Sequence, residues 1–593
     1  MRRFRTPALA AALVLLGATA TDAQHQHAPA DPGNPYVCGP PPPLTATVVP
    51  LWPGVAGTVH FPITTHGARR DSVQAYFDQG LALMYGYNFG EAVLSFRKAA
   101  AFDPHCAMCF WAVATALGPN INEPIIAQRW KMASAHVDTA LGLERYASPA
   151  ERRYLHAAQA RFNPLPRDVD HLPRAEFKAI RKGMDEAYTR ALRDLWVGSG
   201  RRDLTAGTMY AESNLNLHPW DWWRSDGKPK WPATQTAVDV AGEVLAREPR
   251  HVGAAHIWIH ALEASHQPDR AYPQAVFLDS LMPGNAHLNH MPSHIFHRVG
   301  EYRRGVEHNQ RATRMDAQYL AVRGWEWRYP MYYAHDNDFL WISATFVGMR
   351  DEARTSADSL MRITSPQLLQ CYSNAQHFLT APNLVAMRFG DWAGVLAVPS
   401  PYPTYRAAYP RGMWHYTRGW AYLRTGRPAQ ARVERDSVLA IARSLPADSM
   451  VSNNPARELL EIAGGILTGE MLASERQYGP ALAVLRLAVR RQDALEYDEP
   501  PPFFYPARHS LGAVLLQRGH AADLHEAERV YRTDLGLVEG PHTFVVNRNR
   551  QNGWAYRGLV NTMRAMGRDT THWANEFRRV WNAGTPVPPG SRY

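Results

Sequence analysis

From Asp71 onward, apolar residues recur at helical spacing in short blocks, separated by polar or Gly/Pro turns. The clearest stretch is AYFDQGLALMYGYNFGEAVLSFRKAAAFDP, residues 75–104. It predicts two helices, with Gly80 where the first passes close to the second. Ala92 and Ala99 are the small contact residues of the second helix, Phe96 its large one, and Pro104 closes the unit. The next block, CAMCFWAVATALG, keeps phase through Phe110, Val113, Ala114 and Leu117. VDVAGEVLAREP ends a unit at Pro249. Val252 to Pro283 forms another, with Trp258, Leu262 and Ala271 in corresponding places, and Ala286 to Ala317 the next. Weaker blocks (FLWISATFVGMRDEA, LVAMRFGDWAGV) give way to stronger ones at YTRGWAYLRTGRPAQAR, ERQYGPALAVLRLAV, SLGAVLLQRGHAADLHEAERVY and NGWAYRGLVNTMRAMG. Two segments break the rhythm. One is the proline loop from Pro164 to Pro173; the other is HPWDWWRSDGKPKWP, residues 218–232. So tryptophan-rich a loop reads either as a lid over a groove or as a plug on a helix end.

The period carries more than fold. His256 and His260 lie 34 residues before His290 and His294, and Glu263 lies 34 before His297. These residues, with the small-large pattern above, resemble the tetratricopeptide repeat, whose period is 34 residues. The resemblance covers most of residues 71–582 and implies an all-α, right-handed solenoid of roughly eight to ten helix pairs, each touching its neighbours. DPHCAMCFWAVATALGPNIN, HPWDWWRSDG, HIWIHALEAS and HLNHMPSHIFHRVG also look like a group of secreted bacterial tetratricopeptide proteins. That likeness implies export and a repeat fold, and no reaction. The expected organisation is a signal segment at 1–23, an extended Pro-rich leader at 24–70, an N-terminal array at 71–320, a C-terminal array at 321–582 and a flexible tail at 583–593.

In such repeats, positions 2, 5, 9 and 12 of the first helix face the concave groove. The resemblance therefore places His256, His260 and Glu263 at 5, 9 and 12 of one unit. His287, His290, His294 and His297 fall at 2, 5, 9 and 12 of the next, and His335 and Asp338 at 2 and 5 of a third. Residues four apart share a helix face, and packed helices lie ~8–10 Å apart. Imidazoles from two helices can then reach one ion at ~2.0–2.1 Å. The expected metal set is His256, His260, His290 and His294, holding zinc, copper or iron. His287, His297, His335 and Asp338 are auxiliary, and Glu263 is the candidate catalytic base. The other reading is a polar groove that binds a peptide, protein or small molecule without metal, its histidines giving pH sensitivity. No HExxH is present, since Ile257 follows His256 and Met291 follows His290, which excludes a zincin peptidase. Pro292 either kinks the second histidine helix or marks its first turn.

Composition adds location and partners. Arg2, Arg3 and Arg5 precede an apolar run from Ala8 to Gly17, with small-residue cleavage sites up to Ala23. The run is too short to span a bilayer, so a periplasmic or secreted protein without a stable span is expected. The net charge of +10 is spread without a Lys/Arg block, which argues against nucleic acid. His25 and His27 form a short tract that reads as a polar leader or a metal-binding end. Of four cysteines, Cys106 and Cys109 form C-x-x-C at a helix start. A local disulfide leads there, with metal binding and thiol chemistry as alternatives. Spacing leaves Cys38 and Cys371 unassigned. Glu212 and Asn216 read as solvated polar residues, and Asn120, Asn122 and Glu123 as a helix-ending loop.

Overall fold

The computed structural model describes residues 49–224, 226–324, 329–401, 407–538 and 548–593. The signal segment, the leader up to residue 48 with its histidine tract, and Cys38 lie outside the described residues, as does the side chain of Cys371. The chain is an all-α solenoid of paired helices. Each helix packs mainly on its neighbours in sequence. Among the described residues the only strands are a two-residue antiparallel pair, Met450–Val451 with Asn454–Pro455.

The first helices, Arg70–Tyr85 and Phe89–Phe102, show how sequence makes a unit. Asn88 caps the second by accepting the Glu91 N–H at 3.2 Å. A Cβ on Gly80 would stand 2.4 Å from the Phe96 ring, so this crossing requires glycine. Residues 49–69 are non-helical but docked. Trp52 N donates to Gln79 Oε1 at 2.6 Å, and Thr64 N and Oγ1 both donate to Glu151. One hydrophobic cluster runs from Val55 to Val299, and a second from Tyr302 to Trp581.

The C-terminal repeats fold back onto the middle of the array. Trp554 Nε1 donates to Thr345 O at 2.8 Å, Gln551 Nε2 to Val299 O at 3.1 Å, and Arg550 pairs with Asp269 at 3.0 Å. The groove expected between the arms is thereby covered by later repeats. Residues 583–593, expected as a flexible tail, are instead docked. Arg388 Nη1 donates to Ser591 O at 3.0 Å, Ser591 Oγ donates to His509 O at 2.8 Å, and the Tyr593 ring lies 5.9 Å from that of Trp554. Polar anchors on buried side chains hold this Pro/Gly-rich segment without secondary structure.

His509 at this junction is buried between Arg388 Nη2 (2.6 Å from Nδ1) and Asp534 (2.8 Å from Nε2). Burial dominates and lowers its pKa to about 4 despite Asp534. The unfolded chain, with an ordinary histidine pKa of ~6.5, therefore binds more protons between these values. The stabilisation is complete above pH ~6.5 and is lost as pH falls toward 4, by about 3 kcal/mol from this residue. Chemical denaturation from pH 7 to 4 should show this loss. His509→Gln should be less stable at pH 7 and lose less on acidification.

Candidate metal centre

Five of six clustered imidazoles come from two adjacent helical runs. His256 and His260 sit on Val252–Glu263, whose twelve residues are all buried. Gly253 lets this helix meet the first one, since a Cβ there would lie 2.6 Å from the Tyr85 ring. That approach brings Tyr85 O within 2.6 Å of His256 Nδ1. His287 and His290 lie on Ala286–His290, and His294 on Pro292–Val299, again wholly buried. Pro292 takes the first turn of the second segment, and Met291 between them keeps helical angles (φ −48°, ψ −37°). The i,i+4 relation survives, and the Nε2 atoms of His290 and His294 are 2.7 Å apart. Gly300, in the left-handed region at φ 89°, ends the run. His335 comes from Tyr329–Phe346.

The rings form two groups side by side. His256, His260 and His287 each offer a ring nitrogen, all within 4.8 Å of one another; His290, His294 and His335 do the same. His260 and His294 face each other across the groups at 5.5 Å between ring centroids, and His287 and His290 at 5.7 Å. Outer nitrogens are tied to the protein. His256 Nδ1 bonds Tyr85 O, His260 Nδ1 bonds Glu263 Oε1 at 2.7 Å, His290 Nδ1 bonds Asn309 Oδ1 at 2.6 Å, and His294 Nδ1 bonds Glu263 Oε2 at 2.6 Å. With those protons directed outward, the Nε2 lone pairs of His256 and His260 point inward, while His294, protonated beside Glu263 and Glu499, donates its Nε2 proton to His290 Nε2. His256 Nε2 and His287 Nε2 are 3.3 Å apart, and buried His260 Nε2 has no hydrogen-bond partner. Outward Nδ1 bonds that orient inward Nε2 atoms are the usual support of metal-binding histidines.

Glu263 joins the groups. Its two oxygens accept from His260, His294 and Tyr497 Oη, the last at 2.7 Å. Burial alone would raise its pKa, but His294 and the hydrogen bonds of both histidines hold it well below the ordinary value. His294 is the counterpart. Burial opposes its protonation, yet the carboxylates of Glu263 and Glu499 raise its pKa to about 10. The other five imidazoles are pushed down, first by burial. The centre thus draws positive charge toward the point where the groups meet.

Beside the groups lies a chamber of about 240 Å³, lined by His260, His287, His335, Trp220, Tyr332, His377, Phe378 and Glu499, among others. Its far wall, Ser452, Asn453, Glu499 and Pro500, comes from the C-terminal array. Trp220 stands edge-on to His260 at 5.6 Å and Tyr332 edge-on to His287 at 4.9 Å. Trp222 is buried with its Nε1 on Leu215 O, Trp223 bonds Ala261 O, and Trp220, at φ 62°, forms chamber wall.

His256, His260, His290 and His294 come together, but in two groups rather than one. His287 and His335, expected as auxiliary, are members of those groups. His297 turns away, its ring packed 5.1–5.9 Å from Tyr302, Phe339 and Phe346, because it falls near the end of its helix beside an aromatic cluster. Asp338 also lies apart. It accepts from Trp341 Nε1 at 2.6 Å and faces His377, while Asp336, two residues earlier, approaches His290 at 3.1 Å. Glu263 has both oxygens committed, which removes it as a free base. Cys106 and Cys109 are joined by a disulfide, with Cys109 N–H donating to Cys106 Sγ. Sequence reasoning missed Glu499, Tyr497 and Tyr87. The Tyr87 ring, at φ 53°, covers His256 at 4.5 Å and stacks on His287 at 5.5 Å, with its hydroxyl on Glu212. Asn122 and Glu123, read as loop, line the chamber.

No protein family matches the chain, and no curated protein matches it. Solved structures similar to it include yeast Tom70 (12% identity, 84% of this chain and 89% of that chain, TM-score 0.27). Others are a human IFIT1 dimer with m7Gppp-AAAA (9%, 80% and 89%, 0.32) and the P58(IPK) TPR domain (12%, 75% and 98%, 0.16).

Glu263→Ala would leave His260 Nδ1 and Tyr497 Oη without their acceptor and His294 with Glu499 alone. Its unfolding free energy should fall by about 3–5 kcal/mol, against about 1 kcal/mol for Tyr497→Phe, which removes one bond. Denaturant melts of the metal-free chain rank the two. Equal losses would show that Glu263 does not join the helices energetically.

Proposed function

We propose that this protein holds two transition-metal ions, one in each histidine triad, and acts on a small molecule in the adjoining chamber. One observation carries the reading. Two triads of buried imidazoles each bring three ring nitrogens within 4.8 Å of one another, and in His256, His260, His290 and His294 the outer nitrogen is tied to an acceptor. In one triad His260 Nε2 is buried without a partner, which costs free energy, and in the other a metal would take the place of the proton that His294 shares with His290. Three imidazoles with open positions, His294 having released that proton, suit copper or zinc. Copper leads, because nitrogen donors bind it most tightly among the divalent first-row metals. When bound, copper would supply one-electron chemistry.

The chain's own residues do the rest. The six histidines hold the cations, and Glu263 fixes His260 and His294 while offsetting charge. Glu499, on the chamber wall, is the carboxyl available to exchange a proton with a bound molecule; Trp220 and Tyr332 keep water out. Export fits the basic, apolar start of the sequence and the Cys106–Cys109 disulfide, which persists in oxidising compartments. A peptide-holding groove finds less support. The histidine helices are fully buried, and the chamber is below the ~300–1,000 Å³ typical of drug-sized ligand sites.

The test is elemental analysis of untagged protein after separate loading with copper, zinc or iron and dialysis. About two ions per chain are expected, falling to about one in either His256→Ala or His335→Ala, since each triad loses a ligand. Absence of stoichiometric metal in all three loadings, with no rise in thermal midpoint on adding metal, would sink the reading.

A further inference from the structure

The chamber's lining defines what it can accept, and this inference rests on reading it as the substrate site. Three features act together. The first is size. A cavity of about 150 Å³ holds benzene, so about 240 Å³ fits one ring with a short substituent. The second is wall chemistry. Trp220, Tyr332 and Phe378 present ring surfaces, and the first two abut His260 and His287 directly. Offset and edge-on ring pairs are favoured over aliphatic contact. The backbone at Trp220 holds a positive φ, a conformation unfavourable for a bulky side chain, so the surrounding loop holds this wall in place.

The third feature is charge. Among the described residues no lysine or arginine lines the chamber, whereas Glu123 and Glu499 do. A carboxylate or phosphate on the ligand would face these two carboxyls. A hydroxyl would find partners. His377, Ser452 and Asn453 line the chamber, and the carboxyl of Glu499 stands on the same wall.

We propose that the chamber takes a single uncharged aromatic ring bearing a hydroxyl, a simple phenol. Its ring lies among Trp220, Tyr332 and Phe378, and its hydroxyl meets the polar wall beside the histidine groups.

The test is calorimetric titration of the metal-free full chain with 4-ethylphenol, 4-ethylcyclohexanol and 4-ethylbenzoate. The phenol should bind about tenfold more tightly than either analogue, the size of one good ring contact. Trp220→Leu should lose about tenfold for the phenol and little for the cyclohexanol, with an unchanged helical spectrum. Phe378→Leu provides the same reading should the first variant fold poorly. Equal affinity for the saturated ring, preference for the benzoate, or no binding of the phenol each overturns the proposal. The two readings separate cleanly. Phenol selectivity in a chain that retains no metal would fail the metal assignment alone. Stoichiometric metal without phenol selectivity would fail this one alone.

Discussion

The Glu263 carboxylate, buried beyond reach of bulk water, is the constraint around which the centre is built. An ion removed from water requires charge and hydrogen bonds in return. Glu263 obtains them from His260 on its own helix, from His294 on the next repeat, and from Tyr497 in the C-terminal array. One side chain thus fixes the register of two helices and the position of a distant loop. Move it by an ångström and three imidazole or phenol directions change together. The aim of one histidine in each group, His260 and His294, follows from this, because an imidazole whose Nδ1 is committed has only Nε2 left to turn inward.

The solenoid's closure supplies the low-dielectric surroundings that make those interactions strong. Repeat arrays usually expose a concave face, and the sequence placed the histidines on it. Here the later repeats curve back until Trp554, Gln551 and Arg550 reach the earlier ones. A groove that one array would leave open is walled by the histidine helices on one side and the C-terminal array on the other.

The helical pairs were legible because their signal is local. Gly80 at the close crossing, Phe96 as the large contact residue and Pro104 as a stop are each readable within one unit. The 34-residue echo also carried real geometry, bringing His256, His260, His290 and His294 together. Splitting them into two groups was not legible, since repeat position gives a direction but no distance. Position 12 shows the limit. It aims Glu263 inward and leaves His297 among Phe339 and Phe346, a difference made by aromatic neighbours from another repeat. Glu499 and Tyr497 were invisible for a stronger reason. They lie more than two hundred residues from Glu263 in sequence, in a stretch with no periodic pattern, and only the curvature of the whole array brings them in.

That separation along the chain also sets an order in time. All six histidines precede residue 336, while the wall that encloses them is drawn from residues 452–453 and 499–500. A polypeptide that emerges from its amino end offers a full set of nitrogen donors well before anything exists to cover them. Short-range helix pairing is fast, and contacts between remote segments wait on the larger loss of chain entropy. The imidazoles therefore have an open youth and a closed maturity: they meet solvent first, and the chain's own later repeats then take them from it.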